Sequence, residues 1–194
     1  MSEEMMKVFR AAGAMKEGHF LLTSGLHSGI YWEKFRVLQC PSVTQKLCGM
    51  ISKHFVDQRV DRVAGPTTGG IIIAFEVARQ LGIRSIYAER AGDVRVFRRD
   101  LDISPGERIL VVDDILTTGS SIRQTISAVE VQGGLVIGVA VLVDRSDSGV
   151  AFGLPLFSCL RAPTATYAPD GCPLCAARVP LVRPGGAGTQ LSAG

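Results

Sequence analysis

The run Ile109-Leu110-Val111-Val112-Asp113-Asp114-Ile115-Leu116-Thr117-Thr118-Gly119-Ser120-Ser121 begins as an apolar strand and ends as the first turn of a helix. A buried strand here delivers two adjacent carboxylates at its C-terminal end. In an open α/β sheet, ligands sit outside the carboxyl ends of the strands. The loop over 117–121 offers backbone N–H groups, hydroxyls and a helix N-terminus, a set that suits a phosphate dianion. Asp113 and Asp114 repel that dianion and must face something else. Vicinal ribose hydroxyls are natural donors to them, directly or through Mg²⁺. Taken singly, the Asp pair reads as a helix cap with a turn acid, and the Thr/Ser run as local capping. The combination is more specific than either part.

Outward from this run the pattern repeats as strand, loop, helix. Residues 60–64 read as a strand, 65–70 as a turn, and 71–81 as a helix closed by Gly82. Strands follow at 83–89, 108–113 and 135–144, with a helix over 118–131 ended by Gly133-Gly134. Residues 90–100 are charged and contain Ala91-Gly92, the mark of an exposed loop or hairpin. Alternating strands and helices imply βαβ units, hence an α/β fold with a central, mainly parallel sheet flanked by helices. Upstream, residues 2–16 read as a short helix and 42–55 as an amphipathic one, with strands and turns across 19–40 between them. The Gly-rich segment from Pro184 onward reads as a disordered tail.

Composition narrows the function classes. The chain has 194 residues, 21 Lys+Arg against 18 Asp+Glu, and 46% hydrophobic residues, so it is globular and long enough for one domain with a sizeable core. The net charge of +3 comes without a basic block or aromatic-basic stripe, which argues against nucleic acid as a partner. No apolar run approaches the roughly 20 residues a bilayer requires, so no membrane partner is expected. Met1-Ser2-Glu3-Glu4 is not a signal sequence, and five scattered cysteines do not form a disulfide framework. A reducing cytoplasm is the expected location. Cys172-Pro-Leu-Cys175 supplies two thiols where structural zinc needs four ligands; with the other cysteines far away in sequence, it reads as an isolated thiol pair.

The strand-Asp-Asp-Ile-Leu-Thr-Thr-Gly-Ser pattern resembles the 5-phosphoribosyl 1-diphosphate motif of the type I phosphoribosyltransferase family. The resemblance extends over residues 13–185. Gly18-His19-Phe20-Leu21-Leu22-Thr23-Ser24-Gly25-Leu26-His27-Ser28 with Tyr31-Trp32-Glu33-Lys34 is similar to the N-terminal hood of the orotate branch. Gly65-Pro66-Thr67-Thr68-Gly69-Gly70 resembles the family's diphosphate loop, and Val143-Asp144-Arg145 the strand end carrying an orotate-binding arginine. The resemblance implies one domain over 1–185, its hood built from about residues 1–40 plus a C-terminal segment, followed by a tail over 186–194.

It further implies transfer of the phosphoribosyl group of 5-phosphoribosyl 1-diphosphate to orotate, giving orotidine 5′-monophosphate and diphosphate in pyrimidine biosynthesis. Asp113, Asp114 and Arg90 would be catalytic. The phosphoribosyl group would be held by Asp113, Asp114, Ile115, Leu116, Thr117, Thr118, Gly119, Ser120, Ser121 and Arg90, and orotate by Thr117 and Arg145. Mg²⁺ would be held mainly by substrate and water, with no direct side-chain ligand. The family also implies a homodimer. Tyr31 and Trp32 are candidates to cover the pyrimidine ring, with hood packing as the alternative. The sequence departs from the family in two places. Arg90, Arg95, Arg98 and Arg99 stand where the branch carries a loop with Lys and His, and Gly69 stands near the usual Lys of the diphosphate loop. A purine-base transferase would lack the hood motif, and a non-catalytic sensor of phosphoribosyl diphosphate would show no turnover.

Overall fold

Side-chain alternation along one strand organises the molecule into three layers. A computed structural model describes residues 2–22, 24–146, 149–184 and 190–191. In chain order the elements are α1 (Ser2–Ala11), β1 (Met15–Leu21), β2 (His27–Trp32), α2 (Phe35–Leu38), α3 (Pro41–Phe55), β3 (Arg62–Pro66), α4 (Gly69–Leu81), β4 (Arg84–Ala91) and β5 (Val94–Val96). There follow β6 (Arg108–Leu116), α5 (Ser120–Val131), β7 (Leu135–Asp144), β8 (Leu156–Arg161), β9 (Thr166–Tyr167), α6 (Pro173–Ala176), β10 (Leu181–Val182) and β11 (Gln190–Leu191). The larger sheet has the order β5-β4-β3-β6-β7-β8. Its pairs are parallel except for the antiparallel β4–β5 hairpin.

In β6, Leu110 and Val112 join one apolar cluster with Leu47, Ile51 and Phe55 of α3 and Ile73 and Val77 of α4. Ile109 and Val111 join the opposite cluster with Ile122 and Val129 of α5. Period-two alternation thus explains why β6 reads as a continuous apolar run: both of its faces are covered. The crossovers β3-α4-β4 and β6-α5-β7 run outward in opposite directions from the β3–β6 pair. That pair is the switch point, where an open sheet leaves a crevice at its carboxyl edge.

The hood is a second sheet of order β11-β10-β1-β2-β9. It draws on both ends of the sequence, since β1 pairs parallel to β10 through Phe20 and Val182. The tail expected over 186–194 falls outside the described residues, apart from Gln190–Leu191, which pairs antiparallel with Leu181–Val182. Helix α1 stops at Ala11, short of the expected Lys16. Gly13 takes a left-handed φ of +66° while its N–H donates to Arg10 O and the Ala14 N–H donates to Phe9 O, a paired closure that ends a helix and turns the chain into β1. Residues 90–100 hold the β4–β5 hairpin, with Arg90 opposite Arg95.

Phe55 is fully buried at the end of α3, with its ring edge against Gly138 of β7, where a Cβ would stand 2.8 Å from it. Phe55→Ala is expected to cost about 3–5 kcal/mol in denaturant unfolding, because a cavity remains where α3 meets the sheet. A loss below about 1 kcal/mol would show that the site collapses without penalty.

Candidate active site

Strand β6 carries Asp113 and Asp114 into the crevice, and the same alternation sends them to opposite faces. Asp113 follows Ile109 and Val111 toward α5, where Ser121 Oγ donates to its Oδ2 at 2.7 Å. Asp114 follows Leu110 and Val112 toward α4 and the hood, where Lys34 Nζ stands 2.8 Å from its Oδ2. The exposed edge of each carboxylate is small: Asp113 is 6% and Asp114 4% accessible. Backbone N–H groups complete them, Asp114 N donating to Asp113 Oδ1 at 2.8 Å and Ile115 N to Asp114 Oδ1 at 2.7 Å. Burial, and then the charge of Asp114, push the Asp113 carboxyl above the usual carboxylate range, against the pull of Ser121, the Asp114 N–H and Lys34.

Two glycines make this packing feasible. A Cβ at Gly69 would overlap Asp114 Oδ2, so the position near which the family carries a lysine must here stay without a side chain. Gly119 ends the 117–119 loop with φ +77° and caps α5, packed under Val150 and Phe152. Thr117, Thr118 and Ser120 are exposed around it, so their hydroxyls and N–H groups face the crevice at the positive end of α5. Ser121 has committed its hydroxyl to Asp113. Leu116 is fully buried and Ile115 packs against the core, so these two offer a ligand only backbone.

The four arginines of residues 90–99 separate. Arg95 is half-buried; its Nη1 donates to Thr67 Oγ1 and Ala88 O, both at 3.1 Å, and it feels the charge of Asp113. Its Nε is buried with no hydrogen-bond partner among the described residues. Arg90 Nε instead donates to Gly92 O at the hairpin turn. Arg99 pairs with Glu89 at 3.0 Å, and Arg98 is exposed. Sequence reasoning singles out Arg90, which lies opposite Arg95 on the hairpin; the structure adds Arg95, which reaches the loop after β3. Lys34 is the residue that reasoning passed over. Its signal was present in the Tyr31-Trp32-Glu33-Lys34 segment, but only the tertiary fold shows which acid it meets.

Past the C-terminal end of β6 a cleft of about 580 Å³ opens between hood and sheet, lined by Tyr31, Thr117, Thr118, Arg145, Thr164 and Thr166 among others. Arg145 extends from the end of β7, its N–H donating to Leu116 O and its Nε to Thr164 Oγ1 at 3.3 Å. Thr117 and Arg145 therefore share one cleft. Trp32 does not line it: the indole is buried against Phe9, ring centroids 5.6 Å apart, because strand alternation turns it inward where Tyr31 turns outward. Of the two aromatic candidates, only Tyr31 lines the cleft.

The phosphoribosyl transferase domain family matches residues 36–152. The orotate phosphoribosyltransferase of Desulforamulus reducens is 46% identical over 183 residues, covering 94% of this chain and 96% of that protein. The chain belongs to the orotate phosphoribosyltransferase family. The corresponding protein of Pelotomaculum thermopropionicum is 45% identical over the same shares. Among solved structures, orotate phosphoribosyltransferase from Aeropyrum pernix superposes with a TM-score of 0.70 at 30% identity, covering 81% of this chain and 93% of that one. The type I phosphoribosyltransferase architecture expected from the sequence, a mainly parallel sheet with a hood, is the architecture observed.

The buried carboxylate pair has a stability cost with a defined pH dependence. A carboxyl whose folded pKa is raised loses stability as pH climbs from its unfolded value, about 4, to its folded value, and costs nothing below both. Asp113→Asn is therefore expected to raise the Tm of the ligand-free protein near neutral pH. The gain should vanish on acidification below about pH 4. A gain that grows on acidification would refute burial as the cause.

Proposed function

We propose that this chain transfers the phosphoribosyl group of 5-phosphoribosyl 1-diphosphate to orotate, releasing diphosphate. The observation that carries the reading is the common cleft of Tyr31, Thr117 and Arg145, which opens past the C-terminal end of the strand that carries Asp113 and Asp114. The exposed loop Thr117, Thr118, Gly119 and Ser120 at the α5 N-terminus receives the 5′-phosphate. Asp113 and Asp114, at the switch point, accept hydrogen bonds from the ribose hydroxyls. Arg145 offers a planar donor fork, matched to the carboxylate and carbonyl oxygens of orotate, and Tyr31 covers the ring.

In the reaction the bond from ribose C1 to the diphosphate oxygen breaks, and a bond from C1 to orotate N1 forms. The N1 proton is lost to solvent or leaving group. Positive charge develops on the sugar and negative charge on the leaving diphosphate. Catalysis rests on holding both in place and on fixed charges rather than on a covalent nucleophile. Arg95, reaching the loop after β3, and Lys34, at the edge of the Asp pair, are the cations set nearest the diphosphate side. The Oδ2 of Asp114 meets the Lys34 ammonium at 2.8 Å as an ion pair.

Mg²⁺ fits this site. Two buried carboxylates face one lysine and one half-buried arginine, a donor set of hard oxygens with charge to spare once a diphosphate enters. Bound with substrate and water, the ion would screen the leaving diphosphate. Asp113 and Asp114 would orient the ribose toward it. A homodimer in a reducing cytoplasm belongs to the same reading; the five free cysteines accord with that compartment.

The deciding measurement follows the absorbance of orotate with phosphoribosyl diphosphate and Mg²⁺, beside uracil, hypoxanthine and adenine. Turnover is expected with orotate alone. Turnover of a purine base would overturn the assignment, and tight binding of the sugar diphosphate without turnover of any base would make the chain a sensor. Arg145→Ala should raise the KM for orotate about ten-fold or more, the loss of a hydrogen bond to a charged group, with a smaller effect on the sugar diphosphate. Arg95→Ala should slow single-turnover chemistry, whereas Arg98→Ala should leave it unchanged. Equal effects of the two would reduce Arg95 to general surface charge.

A further inference from the structure

The thiol pair that reads as isolated in the sequence has company in the fold. Cys172 caps the start of α6 and Cys175 lies one turn later, so the C-x-x-C spacing turns both sulfurs to one side. Facing them across the hood are His19 of β1 and His27 of β2. Leu21 pairs with His27, which puts His19, two residues earlier, on the same face of the hairpin as His27. The four ligand atoms, His19 Nε2, His27 Nδ1, Cys172 Sγ and Cys175 Sγ, all lie within 4.8 Å of one another. His19, His27 and Cys172 are buried, and Cys175 is at the surface.

We propose that these four residues form a structural zinc site. Zn–S bonds of about 2.3 Å and Zn–N bonds of about 2.0–2.1 Å at tetrahedral angles place N and S ligands about 3.6 Å apart and two nitrogens about 3.4 Å apart. Here Sγ of Cys172 is 3.5 Å and Sγ of Cys175 is 3.8 Å from His19 Nε2, and Cys175 Sγ is 3.3 Å from His27 Nδ1. The two histidine nitrogens are 2.9 Å apart, a hydrogen-bonded separation about 0.5 Å inside the tetrahedral edge, so the rings need to part by that much to admit the ion. The ring orientation of His19 is fixed from behind. Its Nδ1 lies 2.8 Å from Val179 O, to which it donates, leaving the Nε2 lone pair free to face the cluster. Two carbonyl-anchored or strand-anchored imidazoles and two thiols converging on one point make the Cys₂His₂ set that selects zinc over the hard cations.

Binding releases one proton from each thiol, and the neutral imidazoles complete an uncharged centre of Zn²⁺ with two thiolates. Four protein ligands leave no open position, so the ion is structural and takes no part in group transfer. Its work is to join the β1–β2 hairpin to the segment around α6, which has little core of its own. Cys159, the other cysteine of the C-terminal half, is not part of the set: its thiol meets Leu47 O inside the main core.

The test uses the full chain, purified without chelator, with metal content measured beside a count of free thiols. One zinc per chain is expected. Replacement by Co²⁺ should give the intense visible absorption of tetrahedral thiolate-bound cobalt. Cys175→Ser, a change at an exposed position, should keep the far-ultraviolet circular dichroism and weaken zinc binding by at least about 100-fold. Cys40→Ser should bind as the parent does. Chelation should lower the Tm of the parent but not of Cys175→Ser. A folded parent that neither carries nor takes up zinc, a Cys172–Cys175 disulfide in its place, or a Cys175→Ser protein with undiminished affinity would each overturn the proposal. None of these readouts depends on transferase activity, so the zinc site and the orotate reading stand or fall separately.

Discussion

Two adjacent carboxylates at the end of a strand buried on both faces set the terms for everything around them. A charge taken out of water is costly unless partners meet it, and here two of the same sign are taken out together. The chain answers by alternation: Asp113 goes to the α5 face with Ser121 and the nearby Arg95, and Asp114 to the hood face with Lys34. Each partner comes from a different part of the sequence. Gly69 must lack a side chain, Lys34 must be carried in from the hood, and the β4–β5 hairpin must fold back far enough for Arg95 to reach Thr67. The site is assembled around a repulsion that these partners offset only in part, since the Asp113 carboxyl stays above its ordinary range.

The loss of the family's lysine from the diphosphate loop becomes intelligible on the same grounds. At position 69 the space is taken by Asp114, and the ammonium that meets that acid arrives from Lys34 at the start of α2. Positive charge beside Asp114 is supplied here from the hood side of the cleft. The arginines of the hairpin divide in a similar way, with Arg95 turned inward and Arg98 and Arg99 left at the surface, Arg99 neutralised by Glu89.

What the sequence made legible was whatever is local. The apolar run of β6, the Asp pair, the glycine-opened start of α5 and the strand-helix alternation are all periodicities or short motifs, and the sheet follows from them. The Gly13 stop signal of α1 was also local and was outweighed by apolar residues continuing past it to Met15. Partnerships between distant segments were not legible. Lys34 with Asp114 spans 80 positions of chain, and Cys172 with His19 spans 153; no spacing rule connects them. Tyr31 and Trp32 look alike as aromatic neighbours, and only the strand's orientation tells the ring at the cleft from the ring in the core.

The parallel pairing of β1 with β10 has a consequence for synthesis. Strands β3 to β8 and the helices that cover them are contiguous in the chain and can pack as soon as they leave the ribosome, since domains fold as units from the N-terminal side during translation. The hood cannot. Its first strand is made among the earliest residues and waits for Leu181–Val182, close to the last described part of the chain, before that edge is paired. The cleft lined by Tyr31 and Leu26 thus takes its final shape only after β10 has been made. A nascent chain will carry the finished 117–120 loop at the start of α5 well before the hood side of the cleft is complete.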